Sequence, residues 1–129
     1  MNHANKEIKI LLVEDTKIIQ TITKLMLREF NCHLDIAEYG EKAVKLATKN
    51  DYDLILMDID LPDINGLEAT RRIRQAERQT KHNAVIVALT SHSAISLKSK
   101  CLTAGMDYFL QKPLTREVFA ELLKKFNLD

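Results

Sequence analysis

No stretch of this 129-residue chain carries a block of like charge, and none is rich in proline or serine, so nothing in it reads as a linker or a disordered tail. Lysine and arginine (19) almost cancel aspartate and glutamate (18), for a formal net charge of +1. The broad basic field of a nucleic-acid binder is missing, and no nucleic-acid partner is expected. No apolar run approaches the roughly 20 residues that span a bilayer, and the polar start Met1-Asn2-His3-Ala4-Asn5-Lys6 lacks the apolar segment of a signal peptide. A cytoplasmic protein making no membrane contact is the expectation. There are only two cysteines, Cys32 and Cys101, far apart and in no metal-ligand or redox spacing, and both are expected to be buried thiols. His3, His33 and His82 likewise have no partners at ligand spacing and are expected on the surface or in loops.

What is present fits one domain of ordinary size with one site. Ile8 to Val13, Asp53 to Met57 and Ala84 to Leu89 are short continuous apolar runs, the pattern of strands buried on both faces of a parallel sheet. His33 to Ala37 and Tyr108 to Leu110 are weaker strand candidates. Between them, helical spacing appears at Ile18, Ile22, Leu25 and Met26, at Ala43, Leu46 and Ala47, and at Leu67, Ile73 and Ala76. The last helix is expected to start at Thr115 as N-cap and to bury Val118, Phe119, Leu122 and Leu123. Five strand-helix units imply a doubly wound α/β sheet, whose ligand crevice lies at the carboxyl ends of the strands.

The chemistry-bearing residues fall at those ends. The first strand ends in Glu14-Asp15, the third in Asp58, the fourth in Thr90-Ser91 and the fifth in Lys112-Pro113. Three carboxylates at adjacent strand ends repel one another unless a cation neutralises them. A hard divalent ion such as Mg²⁺ takes one or two carboxylates and keeps positions for waters and a phosphate oxygen, and Asp15 and Asp58 can supply those carboxylates. The Lys112 ammonium and the Thr90 hydroxyl would then face the oxygens of a phosphoryl group arriving at Asp58, the expected nucleophile. A lone strand-end Asp, Thr or Lys usually has no such role, and the set of them carries the expectation.

In order along the chain, KILLVED, DLILMDIDLPDINGLEATRRIR, VIVALTSH and FLQKP resemble the blocks of response-regulator receiver domains, most closely those attached to hybrid sensor kinases. The resemblance implies a flavodoxin-like (βα)5 fold with strand order 2-1-3-4-5, a receiver domain over 8–127 and an N-terminal extension over 1–7. It makes Glu14 and Asp15 the acidic pair, Asp58 the phosphoacceptor, Thr90 the switch hydroxyl and Lys112 the phosphate-contacting lysine. The Asp60 backbone carbonyl would complete the Mg²⁺ ligands. It makes Phe109 an aromatic switch and places a cis bond before Pro113. It also sets Asp60 and His92 where they would tune the lifetime of the phosphorylated form. Thr16, Leu61 and Phe109 depart from the commonest pattern; without a hydroxyl, Phe109 keeps only the steric part of its switch. The implied function is a phosphoacceptor signalling domain rather than an enzyme, assisting its own phosphorylation and dephosphorylation. The implied partners are a histidine kinase or histidine phosphotransfer domain and a downstream protein meeting the fourth helix, fifth strand and fifth helix, with homodimerisation on phosphorylation a further option.

Two alternatives belong to other classes. A haloacid-dehalogenase-type phosphatase shares the Asp, Thr, Lys and Mg²⁺ chemistry, but there the Asp-x-Asp strand comes first, whereas here Glu14-Asp15 precedes Asp58-Ile59-Asp60. A receiver-like interaction module without phosphorylation would be favoured by loss of Asp15, Asp58, Thr90 or Lys112, and all four are present. The run Arg71-Arg72-Ile73-Arg74 with Arg78 and Lys81 is spread around one helix and is expected to be a solvated face.

Overall fold

A computed structural model describes residues 6–91 and 95–129. Five strands alternate with five helices: β1 (Ile8–Val13), α1 (Lys17–Leu27), β2 (Cys32–Ala37), α2 (Gly40–Lys49), β3 (Leu54–Asp58), α3 (Gly66–Glu77), β4 (Val85–Thr90), α4 (Ile95–Ala104), β5 (Tyr108–Gln111) and α5 (Arg116–Lys125). The strands form one sheet in the order β2-β1-β3-β4-β5, and every neighbouring pair is parallel. This is the doubly wound topology that the alternation of patterns predicts, in the flavodoxin-like strand order that the resemblance implies.

The continuous apolar runs have a direct cause. Successive side chains of a strand point to opposite faces, and both faces of β1, β3 and β4 are covered. Leu11, Val13, Ile55, Met57, Ile86 and Ala88 face a core closed by Ala43 of α2, Ala69 and Ile73 of α3 and Cys101 of α4. Ile10, Leu12, Leu54, Leu56, Val87 and Leu89 face a second core closed by Leu27 of α1 and by Phe119, Leu122 and Leu123 of α5. The start of α5 is as expected: the Thr115 hydroxyl accepts the Val118 N–H at 3.2 Å.

Helix α1 forms where the spacing predicts it, with an unusual orientation. Most of its apolar stripe does not face the sheet: Ile18, Ile22 and Leu25 are 70%, 61% and 53% exposed, Met26 packs against the second core, and the buried positions are Gln20, Thr23 and Leu27. The Gln20 amide turns inward and donates to the Glu14 backbone carbonyl at 2.6 Å, which fixes the roll of the helix and sends the isoleucines outward.

The basic run on α3 also differs. Arg71 and Arg78 are exposed, but Arg72 pairs with Glu41 and Glu68. Arg74 is a structural tie, donating to the carbonyls of Gly105 and Ala84, each at 2.8 Å, and to Glu77 and Asp107, each at 2.7 Å. Cys101 is buried, whereas Cys32 is only half-buried, and burial pushes both thiols up. His33 is exposed beside Asp35, and the half-buried His82 ring bonds the Tyr52 carbonyl. His3 and His92 lie outside the described residues.

Candidate functional site

Strand register assembles the site. Val13 stands opposite Met57, so Glu14 emerges beside Asp58. Asp58 stands opposite Leu89, which sets Thr90 one residue further along the next strand. Thr90 stands opposite Gln111, and the Lys112 N–H then bonds the Thr90 carbonyl at 2.7 Å. Four strand ends thus converge, as the sequence predicts, with Phe109 partly buried in β5 against the core on the α2–α4 side. The Lys112-Pro113 peptide is cis.

Glu14 is 1% exposed, Asp58 3%, and Asp15 lies at the surface. Carboxylate oxygens of these three residues lie within 4.8 Å of one another, the only such metal-competent cluster of acidic, His or Cys side chains among the described residues. Lys112 Nζ is 3.0 Å from Glu14 Oε1 and 3.1 Å from Asp58 Oδ2. The other oxygens take backbone donors: the Thr16 N–H reaches Glu14 Oε2 at 3.1 Å, and the Asp60 N–H reaches Asp58 Oδ1 at 3.0 Å.

Burial is the largest influence on the Asp58 carboxyl and pushes it up, aided by Glu14 and opposed by the Asp60 N–H and the Lys112 charge. Burial alone would favour a neutral Lys112, but the Glu14 hydrogen bond and the Asp58 charge outweigh it and hold the ammonium above its usual value. Lys112 is thus shared between two of the three carboxyls. Such a donor set, hard oxygens with one edge at the surface, suits a small divalent cation.

Residues the sequence did not single out support this frame. Gln20 pins the turn that carries the acidic pair. The loop after Asp58 is tied to α2 by Asp63, whose Oδ1 and Oδ2 accept the N–H groups of Gly40 and Glu41 at 2.8 Å and 2.9 Å. A carboxylate 23 residues from the helix it caps leaves no local sequence signal.

A model of the response regulator receiver domain family matches residues 10–124. The chain belongs to this family. The receiver domain is 42% identical over 127 residues to hybrid signal transduction histidine kinase B of Dictyostelium discoideum, a match covering 91% of this chain and 6% of that kinase's length. It superposes on the receiver domain of the sensor histidine kinase PA1611 from Pseudomonas aeruginosa, which has magnesium coordinated in its active-site cleft. That superposition has TM-score 0.81 and 35% identity, covering 94% of this chain and 98% of that one. It is also similar, with TM-score 0.85 and 31% identity over 93% of this chain and 88% of that one, to the receiver of a Saccharomyces cerevisiae response regulator. That receiver was crystallised with a histidine phosphotransfer signalling protein. The chain is thus a receiver domain of two-component and phosphorelay signalling.

Proposed function

We propose that this receiver takes a phosphoryl group from a phosphohistidine onto Asp58 and releases it later to water or a second histidine. The observation that carries the reading is the convergence of Glu14, Asp15 and Asp58 within 4.8 Å, with the Lys112 ammonium against both Glu14 and Asp58. Mg²⁺, held by Asp15, Asp58 and the Asp60 carbonyl with Glu14 behind them, would supply charge neutralisation and orient phosphoryl oxygens. Asp58 forms the new oxygen–phosphorus bond as the bond to the donor nitrogen breaks, and a donor ring protonated on its other nitrogen leaves as neutral imidazole. Lys112, already against Asp58, balances the added negative charge.

The phosphoryl group also offers acceptors to Thr90, buried at the end of β4. A shift of Thr90 toward it opens space on the side of β5 where Phe109 packs, and this biases the α4-β5-α5 face that meets a downstream protein. Asp60 and His92 set the lifetime of the phosphorylated form. On the donor side, α1 begins two residues after Asp15 and turns Ile18, Ile22 and Leu25 outward, an apolar stripe suited to a phosphotransfer helix bundle.

The test is incubation with acetyl phosphate and Mg²⁺ followed by intact mass measurement. One phosphoryl adduct is expected on the wild type and none on Asp58→Ala; an unmodified wild type, or an equal adduct on the variant, overturns the reading.

A further inference from the structure

Helix α2 has no cap of its own. Tyr39 occupies its N-cap in extended conformation, φ −154°, with no side-chain hydrogen bond to the helix. The first-turn N–H groups that it leaves are taken instead by Asp63 of the β3–α3 loop, one carboxylate oxygen for each of Gly40 and Glu41. A bidentate charge-assisted contact at the positive end of a helix is both strong and directional. Loss of solvent pushes the Asp63 carboxyl up, but the N–H groups of Glu41 and Gly40 outweigh it and hold the carboxyl below its usual range.

The same junction is closed sterically. A methyl group added at Gly40 would lie 2.4 Å from Ile64 Cγ1 and 2.9 Å from the Ile64 carbonyl oxygen, so helix and loop backbones meet where only glycine fits. Glu41 extends the tie through its 2.9 Å ion pair with Arg72 of α3. The loop is therefore fastened at Asp60, whose N–H bonds Asp58 Oδ1, at Asp63 on α2, and at Gly66, whose N–H bonds the Ile59 carbonyl at 2.9 Å. Between the first two anchors lie only Leu61 and Pro62, and proline has a fixed φ. With so few free torsions, the placement of Asp63 on α2 is passed to the backbone of Asp60.

We infer that Asp63 is a positioning residue for the metal site: by clamping the β3–α3 loop to α2 it holds the Asp60 carbonyl in place before Mg²⁺ arrives. The inference rests on the functional reading above, which makes that carbonyl a ligand. Ordering the loop beforehand removes an entropy cost that binding would otherwise bear.

The experiment is calorimetric titration of the full chain with MgCl₂, for wild type, Asp63→Ala and Asp63→Asn, beside thermal melts of each in EDTA. Asp63→Ala is expected to weaken Mg²⁺ binding about tenfold, the low end for partners that orient metal ligands. Asp63→Asn, which keeps one acceptor oxygen, falls between. Acetyl phosphate labelling of Asp63→Ala is slowed at limiting Mg²⁺ and recovers at saturation. A cap that serves only folding would lower the melting temperature and leave Mg²⁺ affinity unchanged in both variants, and that result overturns the inference. A wild type that binds no Mg²⁺ overturns the functional reading itself, a different outcome from equal binding by wild type and variants.

Discussion

In the absence of a divalent cation, Asp58→Asn is expected to raise stability, because the acceptor sits in an electrostatic deficit. Oxygens of Glu14, Asp15 and Asp58 lie within 4.8 Å of one another, and Lys112 Nζ is 3.1 Å from Asp58. With an effective dielectric of about 20, a repulsion at that separation costs about 3.5 kcal/mol and the contact with lysine offsets about 5 kcal/mol. Two repulsions against one attraction leave a small net cost. Exposure of Asp15 screens part of it, and burial of the Asp58 carboxylate adds to it. Asparagine keeps the size and an oxygen for the Asp60 N–H. The expected gain is about 1–2 kcal/mol, or about 3–8 °C in melting temperature for a domain of this size. The sign with pH follows from the upward displacement of the Asp58 carboxyl. The folded state takes up this proton at higher pH than the unfolded chain, so the wild type gains stability as pH falls through the raised folded value toward the ordinary carboxylate value of about 3.9. The gap between wild type and variant is therefore widest near neutrality and closes on acidification. Mg²⁺ narrows the gap: at ten times its dissociation constant it stabilises the wild type by about 1.4 kcal/mol and the variant by less. Circular dichroism melts from pH 4 to 8, in EDTA and in MgCl₂ at low ionic strength, read all three effects. A variant that melts below the wild type in EDTA at neutral pH, or a gap that widens as pH falls, refutes the reasoning.

Arg74→Ala should lower stability by about 2–3 kcal/mol in urea unfolding, because it removes four charge-assisted hydrogen bonds, three of which join α3 to the residue before β4 and to the turn before β5. A loss below about 0.5 kcal/mol, the usual effect of a surface substitution, would show that solvent replaces those bonds. Ile22→Asp, at a position 61% exposed, should change stability by no more than about 0.5 kcal/mol. It should leave acetyl phosphate labelling intact while slowing transfer from a phosphorylated histidine phosphotransfer domain. Equal transfer rates for variant and wild type would remove α1 from the docking face.

The strands and the site were legible in the sequence for one reason. A strand covered on both faces must be apolar throughout, so its end is marked by the first polar residues, and in this fold those ends are where ligands bind. Glu14, Asp58, Thr90 and Lys112 were thus found by the interruption of apolar runs. Periodicity located α1 equally well but did not show which of its sides is covered. Ile18, Ile22 and Leu25 form a genuine stripe, and a stripe records that apolar residues share a side without recording what covers it. The buried side holds Gln20 and Thr23, polar residues whose partners arrive only with the tertiary structure. Arg74 and Asp63 escaped for a related reason: the partners of Asp63, and two of the four partners of Arg74, are backbone N–H or carbonyl groups, invisible in side-chain patterns.

The outward stripe of α1 has a consequence for how such a domain can diversify. Because Gln20, Thr23 and Leu27 seat the helix while Ile18, Ile22 and Leu25 stand in solvent, residues that would choose a donor are separate from residues that hold the fold. Substitutions on that side can accumulate at little cost to folding. A duplicated copy could change its donor without first losing its chemistry, and related receivers within one cell could be insulated from one another by a few surface side chains.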